Sequence, residues 1–324
     1  MHVAEFGGPE QASMPVTVCL HGLGGSHLNW LSMAPGLAGV SRVVAVDLLG
    51  HGRTPAAGRT PDVSGHVALV AGVLKQLGAG PVTLVGNSMG GLVTALVAAD
   101  HPELVDRLVL IDPALPPSTP AAPHPRIVAN FVACAVPGLG ERFLAERRRR
   151  TTPEQSVRRV LRICCADPGR VDPAVVDAHV ALTASIDRAA ADDAYLASAR
   201  SLTAALLRPA ALRRALGRIT APTLLLHGER DVLVPVAVAR QARRDHPAWT
   251  VEVAPGVGHV PMLEAPAWTV ARIVAFGSGA DGSSPGPLSG SIGGQPGNRV
   301  APAGPGSSAQ GPSGPVLSQP SPNA

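Results

Sequence analysis

Gly86-Asn87-Ser88-Met89-Gly90 follows the apolar run Pro81-Val82-Thr83-Leu84-Val85 and precedes Leu92-Val93-Thr94-Ala95-Leu96-Val97-Ala98-Ala99. The first run has the length and branched residues of a buried strand, and the second reads as a helix. A serine with glycine two positions away on each side, set at a strand-to-helix turn, is the pattern of a nucleophile elbow. The turn is so tight that a side chain at either flanking position would collide with neighbouring backbone, so both flanks call for glycine. Ser88 is therefore expected to be strained and exposed at the carboxyl end of its strand, with a helix N-terminus beneath it.

Outward from the elbow, short apolar runs alternate with helical patterns. Val16–Leu20, Arg42–Val46, Val82–Val85 and Arg107–Ile111 read as buried strands, and helical stretches lie near 28–38, 62–77 and 89–100. The alternation predicts a mostly parallel sheet with helices on both faces. It resumes with Thr223–Leu226 and Thr250–Val253 and ends in a helix near 264–276. The segment 114–215 contains no strand pattern. It opens on a proline-rich stretch and continues with helical patterns near 126–135, 139–149, 153–165, 173–186 and 192–207. It reads as a helical insertion, a lid over the carboxyl edge of the sheet. The expected organisation is a core in two parts, 1–113 and 216–277, an inserted lid at 114–215, and a tail at 278–324. In the tail Gly and Pro dominate and the only charged side chains are Asp281 and Arg299. Such a composition buries too little apolar surface to offset chain entropy, so disorder is expected there. Only His2–Phe6 offers strand-forming sequence before Val16, so one edge strand is expected to be missing or to lie upstream.

A serine hydroxyl is a poor nucleophile at neutral pH; it needs a base within reach, and the base needs an orienting acid. The chain order Ser, Asp, His is one known solution. Ser88 is followed by Asp231, in His227-Gly228-Glu229-Arg230-Asp231, and by His259, in Gly256-Val257-Gly258-His259. Both follow predicted strands at the same sheet edge as Ser88. Asp112, at the end of an earlier strand, and Glu229 are alternatives for the acid. Among eleven histidines, His259 alone follows the last strand in a Gly-x-Gly-His turn. His21 and His51 sit in Gly-bounded turns and read as structural, His227 as a packed strand-end residue, and His101 and His246 as helix-end residues before prolines.

Four separate motifs then stand in order: His21-Gly22-Leu23-Gly24-Gly25, Asp47-Leu48-Leu49-Gly50-His51-Gly52-Arg53-Thr54, the serine elbow, and the paired Asp and His turns. On these motifs residues 2–277 resemble the α/β-hydrolase fold superfamily. The resemblance implies that Ser88 is the nucleophile, His259 the general base and then acid, and Asp231 the residue that holds the imidazole tautomer. It implies an oxyanion hole made by the backbone N–H groups of Leu23 and Met89. The expected activity is a serine hydrolase acting through an acyl-enzyme on a carboxylic ester of a small or medium apolar substrate. Epoxide hydrolases and haloalkane dehalogenases of this fold carry a carboxylate at the elbow, so Ser88 argues against both; Tyr195 is moreover the only tyrosine. The elbow and Asn29-Trp30 also resemble meta-cleavage product hydrolases, which break carbon–carbon bonds and grip a carboxylate with a lid arginine; Arg188 and Arg200 are candidates. A non-catalytic ligand-binding protein on a hydrolase scaffold is the third reading, with the complete triad against it.

The bulk composition, rich in Ala, Arg, Gly and Pro, suggests a GC-rich genome more than a function. Hydrophobic residues make up 45% of 324 positions but aromatics only 2%, so Ala, Val and Leu must fill the core. Net charge is only +4, its basic side concentrated in Arg147–Arg150, Arg158, Arg159 and Arg162, which read as a solvated helix face. No nucleic-acid motif is present, and the few aromatics offer little stacking surface. Cys19, Cys134, Cys164 and Cys165 show neither zinc nor redox spacing. They read as buried thiols of a cytoplasmic protein. No basic-then-apolar leader and no bilayer-length apolar run is seen. No metal or organic cofactor is expected, because the triad itself supplies nucleophile, base and charge stabilisation.

Overall fold

Alternate residues of the central strands feed two different cores. In β2 (Val16–Leu20), Val16, Val18 and Leu20 pack on one side of the sheet and Cys19 on the other. β3 (Arg42–Val46) divides the same way, Val44 and Val46 against Val43 and Ala45. So does β5 (Val105–Ile111), Leu108 and Leu110 against Val109 and Ile111. This is the period-two geometry of a pleated strand buried on both faces, which is why these segments read as continuous apolar runs.

The structure is a computed structural model and describes residues 1–7, 10, 12–116 and 125–279. With β1 (Val3–Phe6), β4 (Val82–Asn87), β6 (Thr223–Gly228) and β7 (Thr250–Ala254), the strands form one sheet in the order β1-β3-β2-β4-β5-β6-β7. β1 runs antiparallel to β3, and every other pairing is parallel. The short N-terminal stretch thus supplies an edge strand. β4 and β6 run past their apolar runs, since backbone pairing continues at Gly86↔Leu110, Asn87↔Ile111, His227↔Val253 and Gly228↔Ala254. Those added residues carry the chain directly into the loops that hold the site.

α2 (Val63–Leu77), α3 (Met89–Asp100) and α10 (Ala237–Asp245) cover one face of the sheet, burying Val70, Val73, Leu92, Val93, Val97 and Ala239. α1 (Ala34–Leu37) and α12 (Pro266–Gly277) cover the other with Ala34, Leu37 and Ile273, beside the fully buried Trp30. α11 (Pro261–Glu264) is a single turn before α12.

Between β5 and β6 the chain forms α4 (Pro125–Ala135), α5 (Leu139–Arg150), α6 (Pro153–Cys164), α7 (Pro173–Ser185), α8 (Arg188–Leu206) and α9 (Pro209–Leu216). Their starts are written locally. Thr152 and Gln155 form a capping box, Asp172 and Asp187 cap with their carboxylates, and proline opens α6, α7 and α9 at its first turn. α9 and α10 are additions to the helices expected from sequence. Several of these helices touch loops at the carboxyl ends of the strands. Gly24, after β2, faces the Tyr195 ring of α8, and Gly50, after β3, faces Ala194. Gly258, after β7, lies against the backbone of Cys164 and Cys165 at the end of α6. The expected tail at 278–324 lies outside the described residues except for Ser278 and Gly279, as does most of the proline-rich stretch before α4. Among the described residues no single helix is long and apolar enough to cross a membrane.

Candidate active site

Ser88 sits between β4 and α3 with φ 55° and ψ −118°, in the left-handed half of backbone space that a residue with a Cβ rarely occupies. Its backbone is held on both sides: its N–H donates to Ile111 O at 3.0 Å, and its carbonyl accepts from Leu92 N at 3.1 Å and Ala114 N at 3.0 Å. The elbow glycines are explained by what surrounds them. A Cβ on Gly86 would strike the Gly90 carbonyl, and one on Gly90 would strike the carbonyls of Leu20 and His21. A Cβ on Gly22 would come within 2.9 Å of Ser88 Cβ and 3.2 Å of Asn87 Oδ1, so the loop after β2 lies directly against the elbow.

That loop and the elbow present two backbone donors. Neither Leu23 N–H nor Met89 N–H has a hydrogen-bond acceptor among the described residues, although Met89 is fully buried. Beneath the loop His21 is locked as a neutral imidazole: Nδ1–H donates to Gly22 O at 2.8 Å, and Nε2 accepts from Leu48 N at 3.0 Å. Burial lowers its pKa to about 4. His51 and His66 lie beside it in a chain of rings, with centroids 5.5 Å and 5.7 Å apart, and burial lowers them to about 4 and about 3. The structural roles expected for His21 and His51 match this geometry.

His259 and Asp231 come together in the turns after β7 and β6. His259 Nδ1 donates to Asp231 Oδ2 at 2.6 Å, and both residues are buried. The other Asp231 oxygen, Oδ1, accepts from Leu233 N at 2.7 Å and Val234 N at 2.9 Å. Burial acts to raise Asp231, but the charge and hydrogen bond of His259, with His227 and the Val234 N–H, hold it below the ordinary carboxylate range. With Nδ1 committed to the carboxylate, Nε2 carries the imidazole lone pair.

Two contacts that sequence reading missed fix His259 relative to Ser88. Asn87 Nδ2 donates to His259 O and to Ile111 O, both at 3.1 Å, so the neighbour of Ser88 is tied to the histidine turn. Glu264, buried in α11, accepts from Gly258 N at 2.8 Å, Asp167 N at 2.8 Å and Ala166 N at 3.1 Å. It thereby clamps the histidine turn to the end of α6, where Cys164 O also accepts from His259 N at 2.6 Å. No hydrogen bond joins Ser88 Oγ to His259 in this structure. Such bonds often shorten only once substrate is seated.

The alternatives for the acid separate clearly. Glu229 is exposed and accepts from Gly256 N at 2.9 Å, away from the imidazole. Asp112 is fully buried beside Asp231, and its Oδ1 accepts from Gly228 N at 2.8 Å. Among the described residues, two clusters bring three ligand-type atoms together, His2–His27–Asp47 and Asp112–His227–Asp231. Both carry N–H contacts. Asp47 receives bonds from His27 N, His27 Nδ1 and Arg53 N, and His227 Nε2 donates to Val234 O at 2.9 Å.

The features shared with meta-cleavage hydrolases have local explanations. Asn29 Oδ1 accepts from Ser26 N at 3.1 Å in a capping box, and Trp30 is a core residue. Arg188 donates to Thr151 O and Ser156 Oγ, and Arg200 to Cys134 O, Val136 O and Glu141, so both tie helices together. His101 and His246 end α3 and α10 as expected.

Residues 15–266 match the family described as the alpha/beta hydrolase fold. The chain belongs to that family. Among its relatives is the pimeloyl-[acyl-carrier protein] methyl ester esterase of Aromatoleum aromaticum, 30% identical over 78% of this chain and 94% of that protein. The sn-1-specific diacylglycerol lipase of Mus musculus is 37% identical over 39% of this chain; the match spans only 41% of that lipase. Among solved structures, a membrane phospholipase A superposes with a TM-score of 0.63 at 29% identity, covering 86% of this chain and 82% of that one. Cfl2 of Burkholderia cenocepacia superposes with a TM-score of 0.71 at 25% identity, covering 85% of this chain and 91% of that one.

Proposed function

We propose that this alpha/beta hydrolase is a serine esterase that works through an acyl-enzyme on a carboxylic ester of a small or medium apolar substrate. The observation that carries the reading is the buried Asp231–His259 pair, anchored by Asn87 beside a backbone-strained Ser88. Ser88 Oγ attacks the ester carbonyl carbon while His259 Nε2 takes its proton. The carbonyl oxygen becomes an oxyanion facing the N–H groups of Leu23 and Met89, and the imidazolium is stabilised by Asp231. The intermediate collapses, His259 returns the proton to the departing alcohol, and water repeats the sequence on the acyl-enzyme. The helices from α4 to α8 act as the lid over this edge of the sheet, and Tyr195 packs against Gly24 of the oxyanion loop. The esterase and lipase names of the relatives point to the same bond class.

Labelling by a fluorophosphonate probe tests the nucleophile, and a panel of nitrophenyl esters of graded chain length tests the bond. Labelling of the wild-type protein and its loss in Ser88→Ala, with ester turnover lost in parallel, is the expected result. A folded wild-type protein that neither labels nor turns over any ester would overturn the reading in favour of a binding protein. A dienol ketoacid in the same panel covers carbon–carbon cleavage: its turnover in place of the esters would reassign the bond.

A further inference from the structure

The triad needs one carboxylate, yet two carboxyl groups occupy its acid position. Asp112 ends β5 one residue past the last paired position, with φ 44°, a left-handed conformation that aspartate tolerates better than most side chains. Its N–H donates to Leu226 O at 2.9 Å, continuing the β5–β6 ladder, so the backbone holds the side chain firmly under the site. The side chain is fully buried, and Oδ1 accepts from Gly228 N at 2.8 Å. Oδ2 is buried with no hydrogen-bond partner. One carboxyl oxygen of Asp112, one of Asp231 and a ring nitrogen of His227 lie within 4.8 Å of one another.

The groups facing Asp112 supply no cation that would keep it ionised. From β6 comes His227, whose Nε2–H is already given to Val234 O at 2.9 Å. From the following turn comes Asp231, an anion, and from α11 Glu264, a second carboxyl group. The imidazole of His259 is bound to Asp231, not to Asp112. Two anions this close in a dry site repel strongly. A proton on Asp112 Oδ2 removes the repulsion and satisfies the orphan at once, because a protonated carboxyl donates one hydrogen bond.

We propose that Asp112 is a positioning residue of the triad: a neutral carboxylic acid whose Oδ2–H donates to Asp231, so that the pair carries one negative charge and Asp231 is held in register with the imidazole. Burial, with the Asp231 charge next, drives the Asp112 carboxyl well above its usual range, consistent with this arrangement. Asp231 then receives donors from four directions: the Leu233 and Val234 N–H groups, the Asp112 hydroxyl and His259. Its orientation no longer depends on the histidine it must orient. The inference rests on the hydrolase reading for its functional consequence, but the protonation state can be observed without turnover.

The experiment combines infrared spectroscopy with two variants. At pH 8, about four units above the ordinary aspartate pKa, the wild-type protein should show the carbonyl stretch of a protonated carboxyl with its deuterium shift. The band should vanish in Asp112→Asn. Asp112→Ala should lower kcat about tenfold to a hundredfold, as loosening of an aligned catalytic group does. Asp112→Asn should recover most of that loss with KM little changed, because its amide N–H still donates to Asp231. Absence of the band in wild type overturns the proposal. So does an Asp112→Asn variant as impaired as Asp231→Asn, for which a loss of about 10⁴ is expected; that result would make Asp112 the ionised triad acid. Full activity in Asp112→Ala also overturns it. If Asp112→Asn does not fold, the wild-type band decides alone. If Ser88 never labels, the hydrolase reading fails while the band still reports on Asp112.

Discussion

Acidification should unfold this protein through the three histidines under the loop after β2. His21, His51 and His66 have folded pKa values of about 4, about 4 and about 3, against 6.5 in an unfolded chain. Each therefore contributes stability that is complete above pH 6.5 and is lost as pH falls from there toward the folded value, since only the unfolded chain takes up the proton. The geometry agrees: a proton on His21 Nε2 would displace the Leu48 N–H that it accepts. Between pH 6 and 4.5 the three together remove about 5 kcal/mol, each following a limiting slope of about 1.4 kcal/mol per pH unit. Asp112 works the other way. Its carboxyl is held well above its usual range in the folded protein, so over the same interval it returns part of that loss. The contribution of these three histidines alone is a large part of a domain's usual 5–15 kcal/mol. Urea unfolding at both pH values, followed by the fluorescence of buried Trp30, measures it. His66→Gln keeps a donor for Ser198 but cannot titrate, and should cut the loss by about 2 kcal/mol. Equal stability of the wild-type protein at pH 6 and 4.5, or the same loss in His66→Gln, would refute the argument.

Three further outcomes follow from single contacts. Glu264→Gln turns an amide NH₂ toward at least one of three backbone donors; with each orphaned N–H costing about 1–3 kcal/mol, we expect Tm to fall by about 5–10 °C in a thermal melt, and a shift under 2 °C would show that the clamp is unimportant. Asp112→Asn removes the cost of keeping a buried acid protonated, so its Tm should exceed wild type at pH 8 and converge with it near pH 4; a constant offset across that range would argue against a titrating group. Gly228→Ala would drive a Cβ into the Gly258 and Val257 carbonyls of the histidine turn, and soluble expression or triad activity should collapse while the equivalent change at the unobstructed Gly72 leaves both near wild type.

The sheet was legible because its strands are buried on both faces. Val16–Leu20 or Arg107–Ile111 can hardly be anything but core strands, and the Gly-x-Ser-x-Gly turn marks where the third of the predicted strands must bend. The helices between β5 and β6 were legible wherever a capping residue and an N1 proline coincide, as at Thr152-Pro153 and Asp172-Pro173. α9 and α10 were missed. Both are short and arginine-rich, and their apolar faces alone do not distinguish them from loop. At the site, the Ser-Asp-His order pointed to Asp231 and left Asp112 and Glu229 as alternatives. Only the fold shows that Glu229 points at a turn, Asp231 at the imidazole and Asp112 at Asp231. Asn87 and Glu264 left no trace in the sequence, because their partners are backbone groups. Asn87 meets His259 O across 172 positions, and Glu264 meets Ala166 N across 98. No residue-type pattern records a bond to a distant peptide.

The strain at this edge of the sheet is stored in a matched pair of places. Apart from Ala57, the only non-glycine residues with positive φ among the described residues are Ser88 and Asp112, and they terminate adjacent strands. Each such conformation costs on the order of 1–3 kcal/mol and persists only where its surroundings over-determine it. Here each turn holds the other. Ser88 N–H is bonded to Ile111 O, the last carbonyl before Asp112, and Ala114 N–H, just after Asp112, is bonded to Ser88 O. Asn87 bonds Ile111 O a second time and carries the link on to His259. Relaxing either turn would therefore break bonds that fix the other. The proposed nucleophile, the base and the buried acid pair are parts of one locked backbone unit, so a substitution that frees Asp112 from its left-handed turn should loosen Ser88 as well, with no change to any group that touches substrate.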